Sequence, residues 1–186
     1  MNPLIKIIAV SLLGLSFIGP CYADETKKKT SRFIESFEWD SMAHLNIEKF
    51  KIYEPIYLKY INSSDEQTIY LGAVMLGLLK SKDSLNSLKT IQSKERLPEI
   101  GVLFALCALK HNYSKNYLRL EELGKQTQDV AGANSLANLE VVELLSFLAD
   151  PRFQTYALSL SSDETYQREA ISISIKRYEE ISKNGF

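Results

Sequence analysis

Apolar residues recur at three- and four-residue spacing along most of this chain, and the pattern predicts helices from one end to the other. After Ser31, Phe33, Phe37 and Ser41 share one helical face. Pro55 suits the first turn of a short helix that reaches Ile61. Ser64-Asp65-Glu66-Gln67 reads as a capping box, a hydroxyl followed three residues later by a side chain that reaches back. The helix it opens carries Ile69, Ala73, Leu76 and Leu79, and it stops at Ser81-Lys82-Asp83. Asp83-Ser84 caps a shorter helix with Leu85, Leu88 and Ile91. Pro98 begins a helix whose run 100–109 is nearly continuous apolar, which implies burial on most sides. His111-Asn112-Tyr113-Ser114 turns the chain, and Tyr117, Leu118 and Leu123 lead to a terminator at Gly124. Residues 125–134 form a polar connection. Leu136, Leu139, Val142 and Leu145 mark a helix that ends at Asp150, and Pro151 starts another with Phe153, Tyr156, Ala157 and Leu160. Ser162-Asp163-Glu164 opens a last helix to about Lys183.

One segment competes with this reading. Ile171-Ser172-Ile173-Ser174-Ile175 alternates with period two, as a half-buried strand does. Helix is still the better assignment. Tyr166, Ala170, Ile173, Arg177 and Ile181 form a helical stripe with one polar member, and no second alternating segment offers a strand partner. Gly and Pro are sparse after residue 23 and are read as punctuation between helices.

The first 23 residues differ from the rest. A short head with one positive charge, Lys6, precedes an apolar run over residues 7–18. Gly19-Pro20 breaks it, and Cys21-Tyr22-Ala23 places small residues three positions and one position before Asp24. This is the layout of a cleaved secretory signal, with the cut after Ala23. The 12-residue apolar run is short of the roughly 20 residues a spanning helix needs. Lipid anchoring at Cys21 is the alternative, and Pro20 beside it departs from the lipoprotein pattern. The expected address is the periplasm or the exterior, with no stable membrane insertion. The chain divides into a signal peptide over 1–23, a flexible N-terminus over 24–30 and a single all-α domain over 31–186.

Cleavage leaves 163 of the 186 residues, enough for one domain with a sizeable core. The remaining chain carries 21 basic and 23 acidic side chains, a net charge of −2 that does not suit nucleic acid. It keeps a single cysteine, Cys107, so packing and not a disulfide framework must hold the fold. Cys107 stands among Leu103, Phe104, Ala105, Leu106, Ala108 and Leu109 and reads as a core residue. Aromatics are dense at Phe33, Phe37, Trp39, Phe50, Tyr53, Tyr57 and Tyr60. They are read as a cap on one end of the helical body, with a binding patch as the alternative.

Long helices start near Asp65, Pro98, Ser135 and Asp163, and the first two steps are 33 and 37 residues. Ser64-Asp65-Glu66 returns as Ser162-Asp163-Glu164, and Gly72 and Ala170 follow at equal offsets. Periods of this length mark stacked helical pairs. Over residues 64–183 the chain resembles HEAT-like repeat proteins. The stretch from Ser162 to Ala170, with Arg168 before the small residue, looks like the first helix of such a unit, although Tyr70 takes the matching place in the first unit. The resemblance implies an α-α superhelix of antiparallel helix pairs with an N-terminal helical cap. Tetratricopeptide-like pairs and an irregular all-α bundle remain as alternatives. In a stack of this kind the shorter helices line a concave surface, here with Asn86, Lys89, Asn116, Arg119, Glu122 and Gln154.

Catalytic patterns do not appear in the sequence. His44 and His111 have no partner at metal-ligand spacing and are read as surface or turn residues. Glu121-Glu122 and Glu179-Glu180 are adjacent carboxylates that point about 100° apart on a helix, so they do not converge on one bond. No cofactor is expected. The leading expectation is an exported, non-enzymatic protein-binding module with a protein partner in the bacterial cell envelope. A periplasmic immunity protein that neutralises an antibacterial toxin is the narrower version. An enzyme or small-ligand carrier with a pocket built from dispersed residues is the competing class.

Overall fold

Residues 20–91, 95–125, 135–160 and 165–185 are described by a computed structural model of the chain. Among them every regular element is helical. The α-helices are α1 Pro20–Glu35, α2 Glu54–Tyr60, α3 Glu66–Leu78, α4 Leu85–Thr90, α5 Arg96–Ala108, α6 Tyr113–Lys125, α7 Ser135–Ser146, α8 Arg152–Ser159 and α9 Thr165–Asn184. Tighter 3-10 runs occupy Ser36–Glu38, Ala43–Tyr53 and Lys82–Ser84. Residues 1–19 of the expected signal segment, 126–134 of the connection, the opening Ser162-Asp163-Glu164 and Phe186 lie outside the described residues. The alternating segment 171–175 sits inside α9, as the helical stripe requires.

Helix α3 is the centre of the body because its sequence leaves no polar face. Every residue from Tyr70 to Leu78 is buried. It packs between α2 and α5, α5 packs on α6, α6 on α7, and α7 on α9. Among the described residues the contact between α3 and α5 is the most extensive, and it depends on two glycines. A Cβ on Gly77 would stand 2.8 Å from Ala105 Cα, and one on Gly101 would stand 3.1 Å from the Tyr70 carbonyl oxygen. These glycines therefore serve close packing inside helices and are not punctuation. Gly124, expected to end its helix, also lies buried within α6.

The helix ends follow side-chain chemistry more closely than the expected capping box. Asp65, not Ser64, caps α3: its carboxylate accepts from the Thr68 backbone N–H at 3.0 Å and from the Thr68 hydroxyl. A carboxylate is a stronger acceptor than a hydroxyl and suits the positive end of a helix. At the other end, Lys80 takes a left-handed backbone, φ 50°, and Ser81 N–H donates back to Leu76 O at 3.0 Å. The end of α5 repeats this turn: Lys110 has φ 60°, and His111 N–H donates to Leu106 O at 2.9 Å.

The N-terminus departs from expectation. Residues 24–30, read as flexible, belong to α1, and that helix also crosses the expected cut after Ala23. Thr26 and Thr30 are buried, and with Phe33 and Phe37 they form a stripe at spacings of four, three and four. The two threonines look polar in sequence but offer a methyl to the core, and the Thr30 hydroxyl meets the Tyr57 hydroxyl at 3.0 Å. Lys27 Nζ donates to Asp65 at 2.8 Å and ties α1 to the start of α3.

The first and last segments meet at Arg177. This α9 side chain is fully buried. Its guanidinium donates to the carbonyls of Phe37 and Asp40 and to the Ser146 hydroxyl at 3.3 Å. It also lies over the rings of Phe37 and Phe147, 5.4 and 5.0 Å from their centroids. Burial pulls its pKa down to about 10, and the carboxylates of Glu143, Asp40 and Glu180 oppose that shift.

The Asp65 carboxyl is held at about 2, chiefly by the hydrogen bond from Lys27, and Asp150 is held at about 2 by Arg152, whose Nη2 donates at 2.7 Å. Unfolded, both return to an ordinary value near 3.8. A depressed carboxyl stabilises the fold above its unfolded value, and the contribution is lost as pH falls through the folded value. Urea midpoints should therefore hold level above about pH 4 and fall toward pH 2, and Asp150→Asn should flatten that fall. Cys107 is fully buried, and burial pushes its thiol up to about 12. In the chain from Asp24 onward, a thiol reagent at pH 8 should leave Cys107 unlabelled until denaturant is added.

Candidate functional site

The 3-10 run Ala43–Tyr53 has about three residues per turn, so its side chains fall into three rows. One row, His44, Ile47, Phe50 and Tyr53, faces the body, with His44 and Ile47 buried. His44 is thus a core residue and not the surface residue expected: its Nδ1 lies 3.0 Å from Ser41 O, and its ring meets Phe147 edge-on. The other rows, apart from buried Ala43, face outward and carry Leu45 and Ile52, and Trp39 and Met42 stand exposed in the turn before the run. Trp39 is 61 % exposed, Met42 44 %, Leu45 63 % and Ile52 73 %. Among the described residues only Leu118 and Leu158 are other large apolar side chains so exposed.

An open groove of about 430 Å3 lies between α1 and this run, lined by Lys29, Arg32, Phe33, Lys49, Phe50 and Tyr53. Its apolar base is a set of rings: Phe33 stacks on Phe50 at 4.5 Å, and Phe50 meets Tyr53 at 6.2 Å. Three cations surround it. Lys29 pairs with Glu25 at 2.8 Å, and Lys49 donates to Asn46 Oδ1 at 2.8 Å. The lining holds no nucleophile beside a base. It can take up an apolar side chain and pair with carboxylates around it.

The residues expected on a concave face divide. Asn116 is buried, and its amide donates to His111 O at 2.8 Å, so it braces the turn before α6 and is not displayed. Arg119 Nε donates to Glu99 at 2.9 Å, and its Nη1 lies 3.4 Å from Glu122. Lys89 lines a groove of about 220 Å3 on α4 and α5 that also holds Glu99. Glu99, which the sequence did not single out, thus pairs with Arg119 and shares a groove with Lys89. Its one signal was its place beside Pro98, where an acidic residue suits the first turn of a helix. Asn86 and Gln154 are exposed on α4 and α8 and share neither groove.

Among the described residues, no group of three His, Cys, Asp or Glu side chains is placed to hold a metal ion, and no helix is long and apolar enough to cross a membrane. No family model matches the chain, and no curated protein or solved structure matches it.

Proposed function

We propose that this chain is a protein-binding module of the bacterial cell envelope and that its partner sits on the N-terminal surface around Ala43–Tyr53. The observation that carries this reading is the exposure of Trp39, Met42, Leu45 and Ile52, from 44 to 73 %, within 14 residues of chain. Burying such side chains is worth about 1.5–3 kcal/mol each. Trp and Met are also enriched in protein interfaces, where a few anchors dominate the energy. The basic groove beside them adds charge to an apolar contact, which favours selection among partners. The export layout of residues 1–23 supports the envelope as the place. The matching turns at Lys80 and Lys110 support a repeated, HEAT-like plan for the body, which then acts as a rigid base for this surface.

A photo-crosslinking amino acid placed in cells at Leu45 or Ile52 tests the proposal. It should yield a discrete adduct to one envelope protein, whereas the same group at Gln154 should not. Ile52→Asp should remove the Leu45 adduct while leaving the thermal midpoint within a few degrees, because Ile52 is 73 % exposed. Adducts that are absent at Leu45 and Ile52, or equally abundant at Gln154, would overturn the reading.

A further inference from the structure

The groove between α1 and the run Ala43–Tyr53 carries a charge pattern that its apolar floor does not explain. Each wall places a cation directly before a ring, Arg32-Phe33 on α1 and Lys49-Phe50 on the run. Lys29 stands one helical turn before Phe33. Phe33 and Phe50 stack at 4.5 Å, so rings join the two walls and cations come from both. Among the described residues no carboxylate lines the groove.

Two of these cations lack a counter-charge. Arg32 is exposed and, among the described residues, has no ion pair or hydrogen bond. The carboxylate three residues on, Glu35, accepts from Ser31 Oγ at 2.8 Å instead. Lys49 Nζ donates to Asn46, which is a neutral amide. Other surface cations do find carboxylates: Lys27 pairs with Asp65, Lys29 with Glu25 and Arg119 with Glu99. The guanidinium of Arg32 keeps all its donors in a planar fork, and that fork fits a carboxylate by two parallel hydrogen bonds.

We infer that the partner presents to this groove a short acidic segment, with one aromatic or branched apolar side chain against Phe50 and Tyr53 and carboxylates on either side of it at Arg32 and Lys49. The assignment rests on the partner sitting on the N-terminal surface, and it names the chemistry which that surface selects. Phe50 and Tyr53 are only partly buried, so their rings are still open to an incoming side chain. A hollow of about 150 Å3 holds benzene, so about 430 Å3 has room for one ring and the chain on both sides of it. Clusters of basic side chains read acidic motifs in this way, with the apolar anchor adding affinity and the charges adding selection. An anionic bilayer also offers negative charge, but its face is flat. A groove walled on two sides holds its rings back from a flat face, whereas an extended chain segment can enter it.

A capped, dye-labelled peptide with a central Phe and two acidic residues on each side tests this by fluorescence anisotropy, with the protein expressed from residue 1 and purified after export. Saturable one-to-one binding is expected at 50 mM salt, and it should be at least fivefold weaker at 300 mM. Replacing the acidic residues by their amides, or the Phe by Ala, should each weaken binding at least tenfold. Arg32→Gln and Lys49→Gln should each weaken it at least threefold, and together at least tenfold. Both side chains are exposed, so the thermal midpoints should stay within a few degrees of the parent. Lys115→Gln, on α6, should leave binding unchanged. In cells the Arg32→Gln/Lys49→Gln double variant should reduce the Leu45 adduct at least threefold. Full affinity for the amide peptide, full affinity in the folded double variant, or binding to phosphatidylglycerol vesicles with none to the peptide would overturn the inference. A full Leu45 adduct in the double variant, with no peptide binding, would overturn it and leave the protein-binding surface in place. No Leu45 adduct in the parent would remove that surface and the inference with it.

Discussion

A single buried guanidinium ties the segment after α1 to helix α9. Arg177 enters a region where an uncompensated charge costs several kcal/mol. Two backbone carbonyls and a hydroxyl accept its N–H groups, two aromatic rings face its plane, and three carboxylates lie within electrostatic reach. The compensation is long-range. The carbonyls of Phe37 and Asp40 belong to the segment after α1, Ser146 ends α7, and Arg177 belongs to α9. The aromatic contacts run along the same path, because Phe37 meets Phe147 at 4.8 Å and Phe147 meets Phe104 of α5 at 6.4 Å. The segment over 36–53 is wound mostly as 3-10 helix, whose hydrogen-bond geometry is poorer than that of the α-helix. It is fixed by what the ordered helices present to it.

That dependence links the body to the surface that the N-terminal region displays. Once Phe37 is anchored under Arg177, and Phe33 stacks on Phe50, the 3-10 run has its inner row committed to the core. Three residues per turn then leave most of the remaining positions outside, Leu45 and Ile52 among them. A run of the same sequence in α-helical geometry would distribute its side chains differently, since the angle between successive residues falls from about 120° to about 100°. The exposed Leu45 and Ile52 thus follow from how the segment is wound and held, and Trp39 and Met42 flank them in the turn that precedes it.

The regular helices were legible because their signals are local. The continuous apolar run at 100–109, the short helix after Pro55 and the stripe through Arg177 each name an element from neighbouring residues alone. The stripe even marked Arg177 as its polar member, although nothing local could show that its partners lie some 140 residues away. What stayed hidden needs tertiary geometry. Thr26 and Thr30 counted as polar until their methyl groups met a core. Gly77 and Gly101 gave no sign of a close approach until α3 and α5 were brought into contact. Asn116 resembled a displayed amide until the His111 carbonyl took it inward. The winding of Ala43–Tyr53, and with it the exposed apolar surface, had no periodic signal to announce it.

Hydrogen exchange on an Arg177→Met variant tests the anchoring most directly. Methionine keeps much of the side-chain volume but leaves the Phe37 and Asp40 carbonyls without their donor. A buried acceptor left without its donor costs about 1–3 kcal/mol. The account predicts a fall in stability of that order, with exchange accelerating first over residues 36–53 while the α3 and α5 amides keep the slowest exchange in the variant. A variant as stable as the parent, with unchanged protection over residues 36–53, would contradict it.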